Sequence, residues 1–255
     1  MELHFPNNGI KFLAGIASSI ARDHSYSWSK TISYARELKF NTVQLYLPDF
    51  KNISKAYREV LPDIEYFKEV YFHLPPDNKC LRYIHPDMKN CLFVQHERFI
   101  NIGLMQIISD NEGSLGVEND NPLEISTLIN RIEEAANHNV DVHAVIDPSR
   151  YYHYFYSHLS IETITAEIID VLKYCSTNNI PVILHIIDHN QFNAHRSNWT
   201  PLFEGVIPWP EIFEYIIRNR IQLRSVIFEY EIPEHTRQSI NNLIDWFNNY
   251  HQNSF

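Results

Sequence analysis

Val182-Ile183-Leu184-His185-Ile186-Ile187-Asp188-His189 reads as a short apolar strand that delivers a histidine and an aspartate into a polar loop. The loop carries a further imidazole, His195, and closes through Phe203-Glu204-Gly205-Val206-Ile207-Pro208-Trp209 into a helical pattern. In a chain that alternates strands with helices, a polar residue at the carboxyl end of a buried strand belongs to a site built by the loops that follow.

Working outward, the same alternation recurs along the 255 residues. Strands are expected at Phe12–Ala17, Asn41–Leu47, Glu69–His73, Cys91–His96, Ser114–Glu118, Val140–Asp147, Pro181–Ile187 and Arg224–Glu229. Pro48-Asp49 stops the second, and Leu74-Pro75-Pro76 the third. Apolar residues at helical spacing predict helices over Ser27–Leu38, Leu123–Asn137, Ile161–Tyr174 (capped by Ser160), Glu211–Arg218 and Glu234–Tyr250, with Ser54 capping another through Val60. Eight strands interleaved with helices point to a single-domain (β/α)8 TIM barrel over residues 1–255. An open doubly wound sheet is disfavoured, because Gly15-Ile-Ala-Ser-Ser lacks the spacing of a phosphate-binding turn and the chain holds only six glycines.

Bulk properties narrow the function classes. A net charge of −10 disfavours a protein that grips nucleic-acid backbone. No apolar run reaches membrane-spanning length, and the first residues lack the pattern of a signal peptide. Cys80, Cys91 and Cys175 have no metal-ligand spacing and read as free thiols in a reducing, cytoplasmic setting.

The expected strand ends carry the chemistry. Six of them carry a carboxylate or imidazole at or within two residues of their end: His73, His96, Glu118, Asp147, His185 and Glu229. In a barrel these ends converge on one mouth. Glu118, Asp147, His185 and Glu229 then form a mixed oxygen and nitrogen set suited to a divalent metal ion such as Mn2+, Zn2+, Mg2+ or Co2+. Without a cation their charges would repel one another.

These pieces resemble the xylose-isomerase-like barrels, which include sugar isomerases and epimerases together with the endonuclease IV group. The resemblance rests on Tyr71-Phe-His73, Phe93-Val-Gln-His96, Gly116-Val-Glu118-Asn119, Ala144-Val-Ile-Asp147, Leu184-His185-Ile-Ile-Asp188, Glu204-Gly205-Val-Ile-Pro-Trp209 and Val226-Ile-Phe-Glu229. It implies Glu118, Asp147, His185 and Glu229 as metal ligands, with Glu118 and Glu229 as the acid and base of proton transfer through an enediolate. It places His73, His96, Asp188 and His195 at the substrate, or His73 and His96 at a second metal in the endonuclease branch. Two departures weaken the endonuclease alternative: Arg150 stands where the family often has a histidine, and Asn193 where the endonuclease branch has an aspartate. Arg150 is instead a candidate for holding an anionic substrate group.

The expectation is a metal-dependent isomerase or epimerase whose partner is a small-molecule substrate, a sugar or related hydroxy-ketone, with neither nucleic acid nor membrane. A two-metal phosphoesterase and a non-catalytic barrel are the alternatives. The run Tyr151–Tyr156 leaves three uses open: a wall for a sugar ring, a cover for the mouth, or a contact within a homo-oligomer.

Overall fold

The computed structural model describes residues 1–5, 9–47, 53–75, 84, 87–120, 124–191 and 196–252. Pro48-Asp49, Pro76, Cys80, Leu123, Asn193 and the expected substrate residue His195 lie outside them.

Eight parallel strands close on themselves. They are β2 (Ile10–Ala17), β3 (Thr42–Tyr46), β4 (Glu69–His73), β5 (Leu92–His96), β6 (Ser114–Glu118), β7 (Asp141–Ile146), β8 (Val182–Ile186) and β11 (Leu223–Phe228). Each pairs with the next, and β11 returns to β2 through Ser225↔Leu13 to Phe228↔Ile16. The fold is therefore the expected (β/α)8 barrel, with every one of the eight expected strands in it. An extra strand, β1 (Glu2–Phe5), pairs antiparallel with β2, and the hairpin β9 (Asp188–His189) with β10 (Trp199–Thr200) rises from the loop after β8.

Helices cover the outside. Ser27 precedes α1 (Trp28–Glu37) and Ser160 precedes α6 (Ile161–Thr177), each accepting a backbone N–H as a cap does. Ser54 is not the cap expected for α2 (Ile53–Ile64), because the helix is already under way at Ile53. Two helices have no counterpart in the sequence-based expectation: α3 (Ile102–Asp110), capped by Asn101, and α5 (Pro148–Phe155), capped by Asp147. The remaining ones are α4 (Thr127–Asn137), α7 (Trp209–Arg218) and α8 (Pro233–Gln252). Among the described residues, no helix is long and apolar enough to cross a membrane.

Side-chain alternation along the strands positions the mouth. Successive residues of a strand point to opposite faces. Tyr71, Leu92, Val94, Val145, Ile183 and Ile227 therefore form an apolar plug inside the barrel, separate from the larger core under the helices. One step further along the same faces come His73, His96, Asp147, His185 and Glu229. The polar layer thus stands directly on the plug. Gly116, two residues before Glu118, is required by crowding, since a Cβ there would lie 2.8 Å from Val145 and 3.1 Å from Val94. Below the plug, Arg224 meets His143 at 2.9 Å and Glu69 at 3.0 Å, so His143 belongs to the base of the barrel and not to its mouth.

The seam between β2 and β3 is equally tight. A Cβ on Gly15 would lie 2.5 Å from the Thr42 carbonyl oxygen, a backbone atom that cannot yield without parting the strands. Gly15→Ala is expected to destabilise the fold by about 1–3 kcal/mol, as overpacked cores do. Thermal unfolding followed by circular dichroism checks this; an unchanged midpoint would contradict the close approach.

Candidate metal centre

Glu118 is the hub. Its side chain has no exposed surface, and its two oxygens serve different neighbours. Oε2 lies 2.8 Å from His73 Nε2 and 3.4 Å from His96 Nε2. Oε1 lies 3.4 Å from His185 Nδ1 and 3.2 Å from a terminal nitrogen of Arg150. Burial pushes this carboxyl up, but the charges of His96, His185, Arg150 and His73 outweigh it and hold Glu118 well below the usual range.

His185 is oriented from behind. Its Nε2 stands 3.0 Å from Gln44 Oε1, while the Gln44 amide nitrogen donates to Glu229 Oε1 at 3.3 Å. Gln44 thereby presents its oxygen to His185, so Nε2 carries the proton. The opposite nitrogen, Nδ1, faces Glu118 Oε1 and Glu229 Oε1 at 3.4 and 3.3 Å without making a hydrogen bond. A fixed tautomer with the free nitrogen aimed at carboxylates is how proteins prepare an imidazole for a metal. His73 repeats the pattern. Its Nδ1 donates to the Leu74 carbonyl at 2.8 Å, leaving a second proton or a cation to lie between Nε2 and Glu118.

The structure brings His73, His96 and Glu118 together most closely, with one ligand atom from each all within 4.8 Å of one another. His185 and Glu229 adjoin this group through the other oxygen of Glu118. Asp147, expected as a ligand, also has structural duties. Its Oδ1 accepts from Ser149 and from the Arg150 backbone at 2.6 and 3.1 Å, capping α5, and Oδ2 meets Arg150 Nε at 3.3 Å. Asn119 clasps the Asp147 backbone at 2.6 and 3.0 Å.

Arg150 is bound to the protein's own carboxylates. Besides Glu118 and Asp147 it reaches Asp120 at 2.8 Å, and Asp120 also takes Arg98 at 2.7 Å and the Tyr154 hydroxyl at 2.9 Å. Four carboxylates (Glu118, Asp120, Asp147, Glu229) against these two guanidinium groups leave two negative charges. The donor set fits a divalent cation, which would offset them. Without one, protonated imidazoles must do so. Burial pulls the His185 pKa down, yet Glu229 and Glu118 outweigh it and raise it to about 9. His96 is raised likewise.

Above the cluster lies a cavity of about 500 Å3. Glu229, Asp147, Arg150, His73 and His96 line it, whereas Glu118 and His185 lie beneath. Tyr26, Tyr46, Tyr154 and Trp199 supply aromatic surface. Within the aromatic run, Tyr151 and Tyr152 are buried, and Tyr154 reaches the wall. Asp188 does not line the cavity. Both its oxygens accept backbone N–H groups, from His189, Phe203, Gly205 and Ile207 at 2.8 to 3.3 Å, which fixes the turn before α7. Its neighbour His189 lines the cavity instead. Sequence reasoning missed Gln44, Asp120 and His189. Gln44 carried a signal, as a polar residue within a strand of otherwise barrel-core character.

No family model matches the chain, and no curated protein matches it. Solved structures do. The IolI protein, described with a bound zinc atom, aligns at a TM-score of 0.60 and 13% identity over 94% of this chain and 99% of that one. D-allulose 3-epimerase from Methylomonas sp. aligns at 0.57 and 11% over 96% and 99%. A xylose isomerase domain protein from Planctomyces limnophilus aligns at 0.56 and 12% over 86% and 91%. The resemblance to xylose-isomerase-like barrels read from the strand ends thus holds at the level of fold. Dihydropteroate synthases match too, at TM-scores of 0.50 to 0.55, so the reaction must be argued from side chains.

Two outcomes follow from this geometry. A cation bound at His185 must displace the proton of a ring whose pKa is raised to about 9, so its affinity should rise as the pH is raised towards that value, with proton release on binding. Calorimetry in buffers of different ionisation enthalpy measures both, and pH-independent binding would contradict the His185 assignment. Arg150→Leu removes the guanidinium that Glu118, Asp120 and Asp147 share, and should cost about 3–5 kcal/mol of stability. Chemical denaturation with and without Mn2+ checks this, the ion restoring part of the loss; an unshifted transition would show that the guanidinium holds nothing together.

Proposed function

We propose that the chain is a metal-dependent isomerase or epimerase acting on a sugar or a related hydroxy-ketone. The observation that carries the reading is the position of Glu229: its carboxylate lies on the cavity wall directly above a buried imidazole–carboxylate cluster. Burial, with Glu118 and Asp147 adding to it, holds Glu229 above the ordinary carboxylate range in spite of His185. A general base works best when its pKa approaches the working pH.

Glu118, His185 and Glu229 would hold the cation, with Asp147 at the edge of the set and His73 and His96 on the far oxygen of Glu118. When bound, the ion supplies charge stabilisation at the oxygens flanking the exchanging carbon. Glu229 takes the carbon-bound proton and returns it to the neighbouring carbon on the same face, which is isomerisation; inversion at a single carbon requires a second proton donor on the opposite face. Glu118, first paired with Glu229 as an acid or base, is better suited to holding the ion, because both its oxygens are engaged below the cavity floor. Arg150 keeps the carboxylates in register and has little left to offer an anionic substrate. IolI with its zinc and the D-allulose epimerase support the reading by analogy of fold alone.

One observation favours a second reading. The convergence of His73, His96 and Glu118 suits a second zinc, as in a two-metal phosphoesterase. Metal content separates the two: one ion per chain with no hydrolysis of bis(p-nitrophenyl) phosphate supports the isomerase, and two zinc ions with hydrolysis support the esterase.

Glu229→Gln is expected to lower the rate of deuterium uptake from solvent into a ketose by about 100- to 10,000-fold, the range of general-base loss. Proton NMR of ketoses incubated in heavy water reads this directly. Undiminished exchange in the variant would remove Glu229 from the reaction.

A further inference from the structure

We propose that His189 is the specificity-determining residue of the cavity, hydrogen-bonding a hydroxyl group of a polyhydroxylated substrate. This rests on the reading of the cavity as a sugar site, and goes beyond it by assigning a residue that does not belong to the candidate metal cluster.

His189 is 5% exposed and lines the cavity that Glu229 and Arg150 also line. Neither nitrogen of its ring has a hydrogen-bond partner among the described residues, and Nδ1 is fully buried. Each other buried imidazole of the barrel has a partner on at least one nitrogen: His143 has Arg224, His185 has Gln44, His73 has the Leu74 carbonyl, and His96 has the Asp120 and Glu118 carboxylates. A buried polar ring with nothing to bond calls for a reason, and a ligand is the natural one beside a cavity.

The ring is held in place with unusual thoroughness for a loop residue. Its backbone N–H donates to Asp188 Oδ1 at 2.8 Å, and its carbonyl accepts from Val206 at 2.8 Å. It pairs across the hairpin with Trp199, whose ring meets the imidazole edge-on at a centroid distance of 6.5 Å. The Asp188 cage and the hairpin thus serve to present His189. Such locking is what a recognition group needs, because a preorganised partner loses little freedom on binding.

Its chemistry suits a hydroxyl. Burial holds the imidazole below its ordinary pKa, so the ring offers one donor and one acceptor, the complement of an O–H group. Phosphate recognition is poorly served. Among the described residues Arg150 is the one Lys or Arg side chain on the cavity wall, and three carboxylates already share it.

The test is nitrogen NMR of 15N-histidine-labelled, zinc-loaded full-length protein titrated with D-fructose and D-allulose. The His189 ring signals should shift on addition of at least one of them. His189→Phe should weaken that binding by about tenfold or more, and His189→Gln, which keeps a donor and an acceptor, by only about threefold. Zinc content and melting midpoint should stay unchanged in both variants. Binding that leaves the His189 ring unperturbed, binding undiminished in His189→Phe, or no binding of either sugar would each overturn the assignment. Binding through His189 without any solvent deuterium entering the sugar would instead overturn the proposed reaction and leave this assignment standing.

Discussion

A carboxylate with no exposed surface, Glu118, sits among three imidazoles and a guanidinium, and the mouth of the barrel is built around that placement. Burying such a charge is costly unless partners surround it. Here each oxygen has its own set, His73 and His96 on one, His185 and Arg150 on the other. The partners need holding in turn: Gln44 sets His185, the Leu74 carbonyl sets His73, and Asp120 shares Arg150 with Asp147. Very little of this network is free to rearrange, which is the condition for a site that must bind a small ion with defined geometry.

Preorganisation extends down and up from the cluster. Below, the apolar plug and the absent side chain of Gly116 give the polar layer a dry floor. Above, α5 begins on Asp147 and brings Arg150 and Tyr154 back over Asp120. The β9–β10 hairpin, fixed by the Asp188 cage, closes the opposite side with His189 and Trp199. Trp199 comes from an element that carries none of the charged floor, whereas Tyr154 shares α5 with Arg150 and Tyr46 shares β3 with Gln44.

Much of this was legible in the residues. Strand ends were readable because a buried strand in a barrel offers side chains for chemistry only near its carboxyl end, and Glu118, His185 and Glu229 each lie within one residue of such an end. What could not be read was how neighbouring polar residues divide their duties. Asp188 and His189 are adjacent acidic and basic groups after the same strand; only the tertiary position of the turn at Phe203–Ile207 decides that the acid is spent on backbone and the imidazole faces the cavity. Asp147 shows the same limit, since helix capping and metal ligation use the same carboxylate. The helix at Ile102–Asp110 was missed because its first seven residues are apolar apart from Gln106, which hides a polar face, and the one before Tyr156 because its aromatics read as a wall before they read as a turn of helix.

We propose that the polar layer on the barrel plug is a metal centre. Anomalous diffraction from crystals grown with Mn2+ or Zn2+, recorded at the metal's absorption edge, tests it most directly. A peak is expected within coordination distance of His185 Nδ1 and of Glu118 and Glu229 oxygens. A map with no peak at Glu118 at saturating metal would contradict it.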